Sequence, residues 1–175
     1  MEVYCLQCVT QKCRTVAQVL EYMGVHRAFA PTVLQSERKA GSLLEKPRDL
    51  LPGYVFVFME EKVPDSFFFR EPMGVMHPLA YSQKTWELHG SDLAFALELY
   101  ARDGQIGTMK VLKCGDTVEL LDPLFQKVCG RVSEMDIRKH RAKVTFEFGG
   151  KVWNVWISCD VTFQDEVPSG ACLPE

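Results

Sequence analysis

Leu51-Pro52-Gly53-Tyr54-Val55-Phe56-Val57-Phe58 is the stretch that decides the fold. A Pro-Gly pair sets a turn, and the five residues after it are β-branched or aromatic, so a strand starts at Tyr54. Side chains alternate along a strand. Tyr54, Phe56 and Phe58 therefore share one face, and Val55 and Val57 take the other. Both faces are apolar. A helix packed on the valine face leaves the aromatic face in need of a second cover, which a partner protein can provide.

Working outward, residues 3–9 predict a first strand. Thr10 is a candidate cap for a helix carrying Val16, Val19, Leu20 and Met23 at i, i+3, i+4, i+7, with Gly24 as its stop. Residues 25–34 predict an extended segment interrupted by Pro31. Residues 35–50 are polar and charged, and predict a long exposed loop or hairpin tip. Residues 65–70 predict a short helix, and 75–81 an extended run. A second long helix has Ser91 as N-cap and a stripe of Leu93, Ala96, Leu97 and Tyr100; Gly104 and Gly107 end it. This alternation of helices and strands predicts an α+β fold with a mainly antiparallel sheet.

Beyond residue 110 the helical period disappears. Val118/Leu120, Val128/Gly130/Val132, Val144/Phe146/Phe148 and residues 152–157 are short strand-like runs, and Gly149-Gly150 is a hairpin turn signal. The pattern predicts a small all-β barrel. The expected boundaries are 1–104 for the first domain, 105–112 for a linker, 113–167 for the barrel and 168–175 for a tail.

The chain has 175 residues and a net charge of −3. Residues 110–163 hold nine Lys and Arg against seven Asp and Glu, so the C-terminal part is the basic one. The densest positive run is Arg138-Lys139-His140-Arg141-Ala142-Lys143. It is either a solvated turn between strands or a phosphate-binding surface, which Lys127, Arg131 and Lys151 would widen if the barrel gathers them. No run of about 18 apolar residues marks a membrane span. The start lacks a basic region followed by an apolar stretch, so a cytoplasmic protein with reduced thiols is expected.

Catalysis is not expected. The histidines are scattered, and neither a nucleophile motif, a phosphate loop nor a paired-carboxylate context accompanies them. Cys5, Cys8 and Cys13 hint at a metal, but Cys5 and Cys8 lie three apart on a strand and so point to opposite faces. No second Cys/His pair follows at zinc-site spacing, so neither metal nor cofactor is expected. Phe67-Phe68-Phe69 cannot all face one core, so at least one of them is expected at a contact surface.

The Leu51-Pro52-Gly53-Tyr54-Val55-Phe56-Val57 core resembles the Pro-Gly-Tyr-x-Phe-Val signature of the NusG family of transcription elongation factors. Met73-Gly74-Val75 is similar to that family's Pro-Gly-Val. Gly115-Asp116-Thr117-Val118, Pro123-Leu124-Phe125 and Gly130-Arg131-Val132 resemble the steps of its KOW barrel. The order of these motifs covers nearly the whole chain. Residues 103–107 and 135–144 further resemble the LoaP group of antiterminators. The resemblance implies an N-terminal α/β sandwich (the NGN domain) followed by a KOW barrel. It implies a monomeric, non-enzymatic factor that docks on the clamp helices of the RNA polymerase β′ subunit and reaches toward the β subunit. It also implies binding of an RNA hairpin in the leader of a target operon, with no membrane contact. The resemblance implies Tyr54 and Phe56 as polymerase-binding residues, and Phe58, Phe67 and Phe68 are further candidates beside them. The RNA-binding candidates are Lys127, Arg131, Arg138, Lys139, His140, Arg141, Lys143 and Lys151. Two alternatives stay open: a general adaptor whose barrel binds a termination factor or ribosomal protein, and an RNA-binding module for which the aromatic strand is plain core.

Overall fold

The computed structural model describes residues 1–62, 66–82 and 85–164. The chain runs β1 (Glu2–Cys8), α1 (Cys13–Tyr22), β2 (Arg27–Phe29), β3 (Thr32–Lys39), β4 (Ser42–Asp49), β5 (Tyr54–Met59), a 3-10 turn at Ser66–Arg70, then β6 (Val75–Pro78) and α2 (Gly90–Tyr100). There follow β7 (Gln105–Ile106), β8 (Met109–Cys114), β9 (Thr117–Leu120), α3 (Pro123–Gln126), β10 (Arg131–Asp136), a 3-10 turn at Ile137–Lys139, β11 (Arg141–Phe148) and β12 (Lys151–Gln164). The fold is α+β, as expected. The first sheet is antiparallel in the order β2-β5-β1-β6, and the C-terminal sheet has the order β10-β11-β12-β8-β9.

The Pro-Gly turn forms as its sequence dictates. Gly53 takes φ +86°, and the Tyr54 amide donates to the Leu51 carbonyl at 3.1 Å. β5 then pairs with β1 on one side and β2 on the other. Being central, it buries both faces. On one, Val55 and Val57 meet Leu6, Val16, Ala17 and Leu20, so α1 is the cover. On the other, Phe56 and Phe58 join a core that includes Phe95 and Leu99 of α2.

Several expected elements differ in the structure. Of the two forms expected for residues 35–50, loop or hairpin tip, the structure shows a long regular hairpin: β3 pairs with β4 over its full length and turns at Ala40-Gly41, both with positive φ. β4 is exposed along its length, so no apolar alternation marks it. Thr10 caps no helix through its side chain; it opens a single 3-10 turn ahead of α1. α2 begins at Gly90, which places Ser91 inside it, and it buries Asp92, Phe95, Ala96 and Leu99 while Leu97 stays exposed. The helix is sandwiched between two apolar layers, so a single stripe does not describe it. Residues 105–112 are not free chain, because β7 pairs in parallel with β3 and Met109 opens β8. The expected tail at 168–175 lies outside the described residues.

One hydrophobic core passes through both halves of the chain. Phe95 of α2 packs on Phe125, Phe146 and Phe148 from the C-terminal half, at centroid distances of 6.3, 5.6 and 5.5 Å. The C-terminal sheet is an open half-barrel. Along β11 the side chains of Ala142, Val144, Phe146 and Phe148 turn to one buried face, and α2 fills it.

Candidate functional site

The aromatic face of β5 is buried. Tyr54 is 4% exposed, and Phe56 and Phe58 are at 0%. Its cover is the C-terminal half of the same chain. Tyr54 meets Trp153 edge-on at 5.4 Å and Phe148 at 6.5 Å, and Phe56 packs on Phe148 at 5.3 Å. Lys151 Nζ donates to the Tyr54 hydroxyl at 3.2 Å and lies over its ring at 5.9 Å. Phe58 is covered from within the N-terminal half, by Tyr100 at 4.7 Å and Phe29 at 5.4 Å. The open aromatic surface expected from sequence is therefore closed.

Phe68 is not part of that face. The turn carrying it folds over the opposite side of the sheet, where Phe69 is fully buried against Tyr4 at 5.0 Å and Phe68 packs edge-on to Phe69. The side chain of Phe67 and the loop from Asp65 lie outside the described residues. Tyr54, Phe56 and Phe68 consequently do not form one continuous patch.

Polar contacts join the same two halves. Arg102, just past α2, grips Asp122 through both guanidinium nitrogens, each at 2.9 Å. Asp122 also caps α3 by accepting from the Leu124 amide at 2.9 Å. Its carboxylate and that of Glu98 raise the pKa of Arg102 above the ordinary guanidinium value. Asp92, only 8% exposed, accepts from the Tyr81 hydroxyl at 2.6 Å and from the Gly149 amide of the β11–β12 turn at 3.2 Å. A buried carboxylate needs such partners. Burial and this hydrogen bond push the Tyr81 phenol well above its usual range.

The basic run lies at the far end of the half-barrel. Ile137–Lys139 make a 3-10 turn, His140 is left-handed at φ +49°, and β11 begins at Arg141. Acidic neighbours answer part of the charge. Asp136 Oδ2 is 3.7 Å from Lys139 Nζ and 3.5 Å from Arg141 Nε, and Glu134 is 3.5 Å from Lys143 Nζ. Arg141 lies flat over Trp156 at 4.6 Å, with Lys143 at 5.8 Å from the same ring. Arg138 and His140 are exposed.

The wider patch does not assemble. Arg131 is paired with Thr145 at the opposite end of β10, about 17 Å from the turn at the usual strand rise. Lys151 sits beside Phe148 at the other end of β11, about 23 Å away by the same measure, and is engaged with Tyr54. Lys127 is exposed just past α3. An antiparallel hairpin puts its two ends a full strand length apart, and these residues occupy different ends.

Sequence reasoning missed the neighbour of the basic run, which is the β3–β4 hairpin. The Ser36 hydroxyl donates to the His140 carbonyl at 3.1 Å and meets the Ser158 hydroxyl; both serines are buried. Two hollows lie along this seam. One, of about 290 Å3, is lined by Glu37, Arg38, Lys139 and Arg141. The other, of about 530 Å3, includes Gln35, Arg48 and Asp49 on one wall and Trp153 and Trp156 on the other. The dense charge of residues 37–48 was the available signal.

The chain is similar in fold to a solved structure, reported as domain interaction in Thermotoga maritima NusG. The TM-score is 0.53, the identity 20%, and the match covers 90% of this chain and 93% of that one. The fold is NusG-like. Neither a family model nor a curated protein matches the chain. Among the described residues, no helix is long and apolar enough to cross a membrane, and no cluster of three His, Cys, Asp or Glu side chains is placed to hold a metal. Cys5 and Cys8 lie in the two separate cores, on opposite sides of the first sheet. Cys172 lies outside the described residues.

Proposed function

We propose that this protein is a non-enzymatic transcription elongation factor of the NusG type, working in the cytoplasm. Its N-terminal half docks on RNA polymerase, and RNA read by its C-terminal half directs it to a particular operon, where it opposes termination. The observation that carries the proposal is the cover on β5. Tyr54 and Phe56 are shielded by Phe148 and Trp153, which come from the other half of the chain. A surface shielded by a second module can be exchanged for an apolar partner surface, whereas a strand sealed within its own domain cannot.

Energetics make that exchange a controlled one. Burying an aromatic side chain contributes roughly 1.5–3 kcal/mol, and uncovering Tyr54, Phe56, Phe146 and Phe148 together costs several times that. The closed form therefore dominates, and the apparent affinity for polymerase is reduced by the fraction of open molecules. Docking on the β′ clamp helices draws on that minor population and favours the elongating state of the enzyme. RNA contact is assigned to Arg138, Lys139, His140, Arg141 and Lys143, with Trp156 beneath the two long cations. Phosphate contacts there give salt-dependent binding.

The ion pairs from Glu134 and Asp136 favour a second reading, in which the half-barrel binds a protein such as a termination factor or ribosomal protein. Purified RNA polymerase halted on a template with a structured leader separates the readings. The proposal expects retention of this protein on the complex, and loss of most of it after nuclease. Retention that ignores nuclease supports the adaptor. Absence of retention on any polymerase complex, including one given the Arg102→Ala variant described below, removes both.

A further inference from the structure

Nine basic and only five acidic residues lie in two segments, residues 32–49 and 131–143, while the rest of the chain carries a net charge of −7. The fold brings these segments side by side. Ser36 of β3 bonds the carbonyl of His140 at the basic turn, and the hairpin runs along β12. The positive surface is thus built from both halves of the molecule, although the sequence assigns it to the C-terminal half alone.

We propose that the seam between the β3–β4 hairpin and the basic turn is a composite RNA site, with Arg38 and Arg48 of the N-terminal half as binding residues beside Lys139, Arg141 and Trp156. This rests on the RNA reading above and specifies where the RNA lies. The two hollows are neighbours, linked by side-chain contacts between their linings. Arg141 lines the smaller, and Trp156, on which it stacks, lines the larger. Glu37 lines the smaller, and Arg48, its ion-pair partner at 3.0 Å, lines the larger. Arg38 is exposed in the smaller hollow and faces Lys139 and Arg141 across it. Arg141 Nε is buried without a hydrogen bond, because Asp136 at 3.5 Å supplies charge but not bonding geometry. A phosphate held by Arg38, Lys139 and Arg141 leaves the adjoining base beside the indole of Trp156. Aromatic and guanidinium planes accept unpaired bases in this way, and the larger hollow is open enough to admit one. A base-paired duplex presents no free base face, so the preferred ligand is a hairpin with an unpaired loop.

The test uses the full chain and a labelled RNA hairpin with a purine-rich loop, followed by anisotropy, with the loopless duplex as comparison. Arg38→Ala, an exposed change far from the half-barrel in sequence, is expected to weaken hairpin binding about threefold to tenfold at about 150 mM salt. It should also lower the magnitude of the salt slope by about one. Lys127→Ala should change neither. Hairpin binding should quench tryptophan fluorescence, and Trp156→Phe should remove most of that quench. If Arg138→Ala and Lys139→Ala weaken binding while Arg38→Ala binds like the unaltered chain, the composite site is wrong and the RNA reading survives. If the unaltered chain binds neither hairpin nor duplex, both fall. Equal displacement of the hairpin by poly-glutamate assigns the seam to an acidic protein and overturns the proposal.

Discussion

Replacing Arg102 by alanine should loosen the junction between the two halves, at the cost within the N-terminal half of only its pair with Glu98. Arg102 makes two parallel hydrogen bonds of 2.9 Å to Asp122, with side-chain exposures of 27% and 14%. A charge-assisted hydrogen bond contributes roughly 1.5–3 kcal/mol net, and the pair here is partly screened by solvent, so we take about 2 kcal/mol for both together. Asp122 keeps its bond to the Leu124 amide, so the start of α3 stays capped and the loss falls on the junction. About 2 kcal/mol raises the open fraction roughly 30-fold. If opening gates docking, the apparent affinity for a labelled β′ clamp-helix peptide rises by the same factor, measured by anisotropy. Arg27→Ala is the control, since Arg27 pairs with Glu21 and Asp103 inside the N-terminal half and should leave peptide binding unchanged. Equal peptide affinity in the Arg102→Ala and unaltered proteins, alongside a lowered melting temperature, would refute the gate: the pair would then stabilise the fold only.

Asp92→Ala leaves the Tyr81 hydroxyl and the Gly149 amide without their buried acceptor, at about 1–3 kcal/mol each, and hydrogen exchange at Gly149 should quicken markedly. Gly104→Ala should be severe, because Gly104 has φ +71° and its added Cβ would meet the Phe29 ring at 2.4 Å. Strain and overpacking together predict about 2–4 kcal/mol and a melting temperature lower by roughly 5–15 °C; an unchanged value would contradict the packing. Burial pushes the thiols of Cys8 and Cys159 up from 9.0 to about 12 and about 11. The unfolded thiols ionise first, so the unfolded state binds fewer protons above about pH 9, and stability falls from there to about pH 11 through Cys159 and to about pH 12 through Cys8. The urea midpoint should drop over that window and drop less in Cys159→Ala, and a flat profile would rule the shift out.

How much of this was legible in the sequence depends on the range of the contact. The Pro-Gly turn and β5 were readable because their signals sit within eight residues. The start of α3 was also written locally, in Asp122 as N-cap and Pro123 at the first helical position, yet so short a helix gives no apolar period to detect. β4 stayed hidden because a fully exposed strand has no buried face to alternate. α2 misled for the opposite reason: with apolar layers on two sides, Leu93 and Leu97 compete with Phe95 and Leu99 for the same stripe. The cover of Tyr54 and Phe56 depends on Phe148 and Trp153, and no local pattern encodes a contact over such a distance. The same holds for the hairpin beside the basic turn, where only the fold reveals that Arg38 and Arg141 share a hollow.

The order of the cover and the covered along the chain imposes a schedule during synthesis. Phe56 leaves the ribosome roughly 90 residues before Phe148, and at about 5–20 residues per second that interval is on the order of 5–20 s. β8 must wait as well, because its parallel partner β12 is made last. Every newborn molecule therefore passes through a stage in which Tyr54 and Phe56 lack the lid that Phe148 and Trp153 supply. Where translation proceeds beside transcription, the function proposed above lets the nascent chain meet polymerase in the uncovered form once, before closure makes that form rare.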